Sequence, residues 1–201
     1  MKVKAINIRL LDATLDGIGD IGWADLTTAE IVRRAHLSKR TFYEHFATKE
    51  ACLLALYEHV SGKLLDDLDA AVATAPRGEP RLEVGAAFYL ARLQAHPRVV
   101  RTLALEILHL GADGLAIRRR VMRRFAAFLR REINATGRRP ISPAVAMVIV
   151  GGINELALEA LEEDRIDRIG ELLAPIAEVV RGVVGEEFLG RSRIRRVSRG
   201  R

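Results

Sequence analysis

Residues 27–49, which read TTAEIVRRAHLSKRTFYEHFATK, carry three helix-start signals at short intervals. Thr27, Ser38 and Thr48 each precede a helical pattern, where a hydroxyl side chain accepts a hydrogen bond from a backbone N–H of the first turn. Glu30, three residues after Thr27, predicts a capping box at the first of these starts. The spacing leaves room for two short helices joined by a tight turn, which is the layout of a helix-turn-helix motif.

The rest of the chain shows helical periodicity. Besides the two short helices, helices are predicted at about 3–19, 49–74, 80–95, 97–110, 113–136, 142–163 and 167–185. No run of alternating apolar and polar residues is long enough to predict a sheet, so we expect an all-α fold of about nine helices. We place a three-helix helix-turn-helix module at residues 1–49, a helical body at residues 50–189 and a disordered Arg-rich tail at residues 190–201.

The composition predicts a globular, cytoplasmic protein. Hydrophobic residues make up 49% and charged residues 29% of the chain, and no stretch approaches the ~20 uncharged apolar residues needed to cross a membrane. The N-terminus has no apolar segment followed by a cleavage site, so no secretory signal is predicted. Cys52 is the single cysteine, which excludes an internal disulfide and, in apolar surroundings, predicts a reduced thiol in the core.

The charge that matters is local. The formal net charge of +6 equals the six Arg of the tail, so the remaining 26 basic and 26 acidic residues balance. Between Arg33 and Lys49, in contrast, five basic residues face one acid, Glu44. Such a patch is typical of phosphate binding. The tail either adds nonspecific DNA affinity or is a solvated end, and we favour the second interpretation.

The helix after Ser38 has two distinct sides. At 100° per residue Phe42 and Phe46 face the core, while Lys39, Arg40 and Thr41 are best placed to reach base edges from a major groove. Arginine or lysine to guanine and a threonine methyl to thymine are the expected pairings. Glu44 either accepts from a cytosine amino group or only excludes other bases.

Hydroxyl, aromatic and basic side chains around this helix are suited to phosphate contacts. These are Thr27, Thr28, Ser38, Tyr43, His45 and Lys49. Contacts of this kind position the helix and carry no sequence information. Alternatively the motif is only a scaffold, in which Tyr43 packs and His45 is solvated.

These residues resemble the DNA-binding motif of the TetR family of bacterial transcription regulators. TAEIVRRAHLSKRTFYEHFATKEACL is similar to its helix-turn-helix, and LLDATLDGIGDIGWADLT is similar to its first helix and Gly-aromatic turn, here Gly22-Trp23. The resemblance is dense over about residues 8–58. It implies DNA contacts for Thr27, Ser38, Lys39, Arg40, Thr41, Tyr43, His45 and Lys49. It also implies a packing role for Trp23. His36 stands where the family usually has Gly, at a position that tends to need a positive φ.

The resemblance implies that the later helices bind a ligand and dimerise. The segments PAVAMVIVGGINELALEALEE and ELLAPIAEVVRGVV are apolar over most of their circumference, and Gly151-Gly152 permits close helix approach. We therefore expect a homodimer through the helices at about 142–163 and 167–185, unless one monomer buries both. A dimer places two reading helices about one DNA turn, ~34 Å, apart, so a near-palindromic operator is expected.

Candidate ligand-binding residues lie on the middle helices and on the helix at 142–163. They are Phe88, Tyr89, Arg92, Glu106, His109, Met122, Phe125 and Asn154. Glu106 and His109 form a Glu-x-x-His pair, but a di-iron site needs a second copy, so neither a metal nor another cofactor is expected. No phosphate loop or nucleophile elbow is present, so the chain is not expected to be an enzyme.

Together these features predict a ligand-responsive transcriptional regulator of the repressor type. The alternative is a helical small-molecule-binding or scaffold protein whose helix-turn-helix does not function.

Overall fold

The helices begin and end close to the predicted residues. The computed structural model describes residues 2–75, 79–135 and 140–184, which form nine α-helices and a 3₁₀ segment without a strand. In chain order they are α1 (Lys2–Ile21), α2 (Thr28–Arg34), α3 (Lys39–His45), α4 (Lys49–Ala73), α5 (Glu79–Ala95), α6 (Pro97–His109), α7 (Gly111–Asn134), α8 (Pro143–Glu162), the 3₁₀ segment (Ile166–Leu172) and α9 (Leu173–Val184). The all-α fold class is confirmed. The predicted tail, 190–201, lies outside the described residues.

Hydroxyl caps begin the helices of the motif as predicted. The side chains of Thr27, Ser38 and Thr48 accept hydrogen bonds from the backbone N–H three residues later. Each bond satisfies a donor that the first turn of a helix leaves without an intrahelical partner. The caps thus limit α2 and α3 to seven residues each, which keeps the motif short.

The turn between α2 and α3 bends at His36. This residue has a φ of 51°, so the positive φ expected at this position is confirmed. Arg9 on α1 supports the turn, because its Nη2 donates to the carbonyl oxygens of Ala35 at 2.5 Å and His36 at 3.3 Å. A side chain at a left-handed φ is strained, and the contact from Arg9 helps to hold that conformation.

The bounds of α1 and α7 differ from the predicted ones by up to two residues, and the predicted start of the last helix was wrong. α1 continues past Gly19 to Ile21 and stops at Gly22, which has a φ of 83°. The predicted helix at 167–185 begins instead as the 3₁₀ segment, and α9 starts at Leu173. Pro175 explains the second difference, since proline is tolerated in the first turn of a helix but removes a hydrogen bond further inside it.

The buried side chains form two clusters. The module cluster joins α1–α3 and the start of α4 with residues of α6 and α7, and its largest buried members are Leu10, Ile18, Leu26, Ile31, Phe42, Leu53, Leu56, Leu103, Ile107 and Ile117. The body cluster includes Leu82, Leu90, Leu93, Ile133, Ile149, Ile169, Ile176 and Val180. The core of the N-terminal module therefore continues across the predicted boundary at residue 49.

Cys52 lies inside the module cluster. Its side chain is fully buried and free, and its Sγ is 3.4 Å from Oγ1 of Thr14. Burial raises the pKa of the thiol to about 11. The thiol is therefore protonated at neutral pH, as expected for a reduced cysteine in a core.

α8 exposes much of its apolar surface. Among the described residues it is the one helix long and apolar enough to cross a membrane, and 28% of that apolar window is buried. The prediction of no such segment relied on an uncharged run, which Glu155 and Glu159 interrupt. Val148 is 75% exposed and Val145 is also exposed. Length and composition alone do not distinguish a membrane segment from a helix that packs against another chain.

We predict that His36→Gly stabilises the protein. Glycine adopts a positive φ without strain, so the free energy of unfolding should rise by roughly 0.5–1 kcal/mol. For a chain of this size that is a rise in Tm of about 2–4 °C per kcal/mol, measurable by thermal denaturation. The matched control is His45→Gly inside α3, which should lower the Tm. A Tm for His36→Gly at or below that of the wild type would contradict the prediction.

Candidate nucleic-acid interface and interior cavity

α3 presents a polar face to solvent and an apolar face to the module cluster. Phe42 is fully buried and Phe46 is 8% exposed, which confirms the predicted core side. Tyr43 packs edge-on against Phe42 with ring centroids 5.4 Å apart, yet it remains 55% exposed. Lys39 and Arg40 are exposed. The helix is thus anchored by two phenylalanines, and its other side is free to meet a partner.

A salt bridge orders the predicted base-reading side chains. Nε of Arg40 donates to Oε1 of Glu44 at 3.0 Å, one turn further along α3. Thr41 is half-buried, and its Oγ1 lies 2.9 Å from Oγ of Ser38. Glu44 therefore has a third role besides the two predicted for it, because it holds the guanidinium of Arg40 on the exposed face.

The basic patch is smaller than its residue count indicated. Arg34 pairs with Asp20 at 2.6 Å and with Glu30 at 2.8 Å, and its side chain is only 18% exposed. Arg33 pairs with Glu30 at 2.6 Å. The charge count ran from Arg33 to Lys49 and therefore left out Asp20 and Glu30. The capping-box prediction was half right. The Thr27 side chain accepts from the backbone N–H of Glu30, but the Glu30 carboxylate pairs with these arginines instead of capping α2.

These contacts change the ionisation of Glu30. The hydrogen bonds from Arg33 and Arg34 outweigh desolvation and lower the pKa of the Glu30 carboxyl from 4.5 to about 2. The carboxylate therefore stays charged at any pH at which the protein is handled. Two of the five arginines and lysines of the patch are balanced in this way, which leaves Lys39, Arg40 and Lys49 to consider.

Lys49 is held inside the module. Its Nζ donates to the carbonyl oxygens of Trp23 at 3.1 Å and Leu26 at 2.9 Å, and it lies 4.0 Å from the centroid of the Trp23 ring. The ammonium ties the start of α4 to the loop between α1 and α2. An ammonium has three donors, so one remains for the predicted phosphate contact.

The other predicted phosphate ligands lie at helix ends. Thr27 and Ser38 are exposed caps, Thr28 is the half-buried first residue of α2, and His45 is the half-buried last residue of α3. With Tyr43 they all belong to the helix-turn-helix, and their phosphate contacts stay a prediction.

A cavity of about 660 Å³ lies between the helices of the body and reaches α1 and Arg34 of α2. Five of the predicted ligand residues line it, namely Tyr89, Arg92, Met122, Phe125 and Asn154. Phe88, Glu106 and His109 are not among its lining residues. The Glu106–His109 pair is on the surface, with the two side chains 41% and 76% exposed and 3.8 Å between Oε2 and Nδ1. In the described residues no cluster of three potential metal ligands occurs.

Polar groups line this otherwise apolar cavity. Burial raises the pKa of Tyr89 to about 12, so its hydroxyl stays protonated, and its ring packs edge-on against Phe125 at 6.0 Å. Glu132 is 7% exposed and lies 3.3 Å from Arg81. The amide Nδ2 of Asn154 is buried without a hydrogen-bond partner. A buried donor without a partner costs free energy, which a bound ligand could recover.

Residues that we did not predict also line the cavity. They include Tyr57, Arg81, Arg118 and Glu132. Arg118 and Glu132 stand at the two ends of an apolar stripe on α7 that repeats every three or four residues. That pattern was a usable signal, because a charged residue on the core-facing side of a helix requires a partner.

Comparisons with known proteins support the interpretation of the N-terminal module. Residues 10–56 match the family described as bacterial regulatory proteins, tetR family. The match covers the N-terminal module, which is therefore similar to the DNA-binding part of that family. The chain is 40% identical over 77 residues to the HTH-type transcriptional regulator BetI of Rhizobium meliloti, a match that covers 38% of this chain and 37% of BetI. The chain thus spans less than two fifths of that relative's length.

Solved structures share the fold over most of the chain. A TetR-family transcriptional regulator from Pectobacterium atrosepticum has a TM-score of 0.73 at 19% identity, covering 90% of this chain and 95% of that one. The regulator FadR from Bacillus subtilis, solved in complex with stearoyl-CoA, has a TM-score of 0.65 at 16% identity, covering 86% and 96%. At these identities the likeness shows the fold, which is that of tetR-family regulators with an N-terminal helix-turn-helix and a helical C-terminal domain.

The structure separates the two predicted lysine contacts. Lys49→Met should lower the free energy of unfolding by roughly 1–3 kcal/mol, because it removes two charge-assisted hydrogen bonds. Lys39→Met, at an exposed site, should change it by less than about 0.5 kcal/mol. Thermal denaturation measures both. If Lys49→Met is as stable as Lys39→Met, the internal role assigned to Lys49 is wrong.

Proposed function

We propose that this tetR-family protein is a DNA-binding transcriptional regulator. It acts as a repressor in the cytoplasm, binds a near-palindromic operator as a homodimer, and is released by a small molecule. The observation that carries the proposal is α3, which has an ordered polar face over buried phenylalanines within a module that matches the family. A surface helix gains no stability from an exposed Lys39, whereas a helix that enters a major groove needs such a side chain.

Within this proposal the residues of α3 divide by their contacts. Lys39, Arg40 and Thr41 face base edges, and Glu44 orients Arg40 through the 3.0 Å salt bridge. Thr27, Thr28, Ser38, Tyr43, His45 and Lys49 contact phosphates. Because Lys49 already binds two carbonyl oxygens, its phosphate contact would also hold the loop before α2 against the DNA.

A second copy of the chain would cover the exposed face of α8. Val145, Val148 and Leu156 are exposed on this helix, and Gly152 is exposed between them. Val179 on α9 is 51% exposed. An apolar face of this kind favours an interface with twofold symmetry, and a glycine lets the two α8 helices approach closely. A dimer also accounts for α8 being apolar without requiring a membrane.

The position of the cavity supports regulation by a ligand. Its walls include Tyr57 and Leu103, which belong to or pack on the module cluster, and Leu82 and Val180 of the body cluster. Arg98 on α6 donates to the carbonyl oxygen of Asp20 at 2.8 Å, at the end of α1. A ligand would therefore act on the module through α6 as well as through α4. Operator DNA should then weaken ligand binding by the same factor.

The competing proposal is a small-molecule-binding protein whose helix-turn-helix does not function. The cavity favours it, since a volume of about 660 Å³ is in the range of small-molecule sites. The two proposals differ in whether the protein selects DNA sequences.

Selection of bound sequences from random DNA by the purified protein tests this. We expect enrichment of a near-palindrome, and an affinity that falls steeply with salt because several phosphates are contacted. Arg40→Ala should relax base preference at one position per half-site, at a cost of about 1–3 kcal/mol. Arg119→Ala, an exposed arginine on α7, is the control and should leave the preference unchanged. No enriched sequence would favour the competing proposal.

The dimer proposal has its own test. Val148→Glu places a charge at the 75% exposed valine of α8, and a buried unpaired charge opposes association. We expect a monomer by sedimentation velocity and a loss of affinity for the selected DNA. Leu115→Glu is the matched control, since Leu115 is 48% exposed and lies on α7, outside the two helices of the proposed interface. A dimer that survives Val148→Glu would place the interface elsewhere.

A further inference from the structure

The cavity extends along α7. Arg118 and Glu132 both line it and lie 14 residues apart on that helix, which is roughly 21 Å at 1.5 Å per residue. The volume of about 660 Å³ is in the range of small-molecule sites.

Apolar side chains form most of the wall between those two residues. On α7 they are Val121, Met122, Phe125, Phe128 and Leu129, and α4 adds Val60, Leu64, Leu68 and Val72 from the opposite side. A mostly apolar wall of this length, interrupted by Tyr89 and Asn154, favours a ligand that is largely apolar along its middle part, because burying polar groups without partners would cost free energy.

The ends of the cavity differ in charge. Four arginines and the exposed Lys63 line it. Three of the arginines are paired: Arg34 with Asp20, Arg81 with Glu132, and Arg92 with Asp67. Arg118 has no ion pair in the part of the chain that the structure describes, and its side chain is half-buried. Burial raises the pKa of the Tyr57 phenol, and the positive charge of the nearby Arg118 opposes that rise.

A half-buried guanidinium without a carboxylate partner is a site for an anion. Arginine offers five donors in a planar fork that matches a carboxylate or a phosphate. At the other end, Glu132 pairs with Arg81 at 3.3 Å and with Arg131 at 2.9 Å, and Arg131 also pairs with Asp69 at 2.5 Å, so two carboxylates balance two guanidinium groups there. Asp12 and Asp16 also line the cavity but are exposed, which places them at its opening to solvent.

We propose that the cavity binds a long-chain amphipath with an anionic head, the head at Arg118 and the chain along α7 towards Glu132. This ligand is the effector of the regulatory function proposed above, on which the inference rests. The head is either the carboxylate of a free fatty acid or a phosphate of the coenzyme A part of an acyl-CoA. Both offer the same pairing to a guanidinium. Because Arg118 follows Ile117 of the module cluster, the bound head acts close to α1–α3.

Ligands of equal chain length and different head charge test the proposal on the full-length protein. Displacement of a fluorescent fatty acid should show that dodecanoate binds at least about tenfold more tightly than dodecanol or dodecyltrimethylammonium, as expected for charge-assisted hydrogen bonds. Arg118→Gln should remove that difference. The matched control Arg119→Gln changes the next, exposed residue, which does not line the cavity, and should retain it.

A second variant separates the chain from the head. Met122→Trp fills part of the space beside the apolar wall and should weaken the binding of all three dodecyl compounds.

Palmitate and palmitoyl-CoA distinguish the two sources of the head, since the one that binds more tightly identifies the head as carboxylate or phosphate. Equal binding of the alcohol, the cation and the acid by the wild type would overturn the proposal. Selection of DNA sequences without binding of any dodecyl compound would also overturn the ligand proposal, but it would leave the regulatory function intact. Binding of dodecanoate without selection of any DNA sequence would instead overturn the regulatory function.

Discussion

The N-terminal module is too small to bury a core by itself, and the rest of the structure follows from that constraint. α2 and α3 have seven residues each, and a domain of this size alone is marginal. The module therefore completes its core with Leu103, Ile107 and Ile117 from α6 and α7. The elements that stabilise the reading helix are in this way the same elements that form the wall of the cavity, and a change in either is felt by the other.

The interactions that depend on neighbours in sequence were predictable. The caps at Thr27, Ser38 and Thr48 were found, as were the buried Phe42 and the positive φ of His36. The positive φ of His36 is different, because it was expected from the family resemblance and is supported by Arg9, 27 residues earlier. The caps depend on hydrogen bonds within one turn of a helix, so a short stretch of sequence contains the whole cause. The same is true of the long α4, whose apolar pattern has no interruption.

The interactions that depend on distant residues were not predictable in the same way. Arg34 appeared free until Asp20, fourteen residues earlier, was found beside it. Lys49 is held by carbonyl oxygens 23 and 26 residues away, and carbonyls carry no signature in the sequence. Pro175 is different, since its effect on α9 is local and was overlooked. Charge counted along the chain overestimates what a surface offers to DNA, because folding pairs part of that charge internally.

The contact between Lys49 and Trp23 gives the protein an optical property. Trp23 is the single tryptophan of the chain, and the ammonium of Lys49 lies 4.0 Å from its ring centroid. Indole emission depends on nearby charge and on exposure to water. The joint between α4 and the loop before α2 therefore carries its own fluorophore, and a displacement of α4 relative to that loop would change the emission of the unlabelled, unmodified protein.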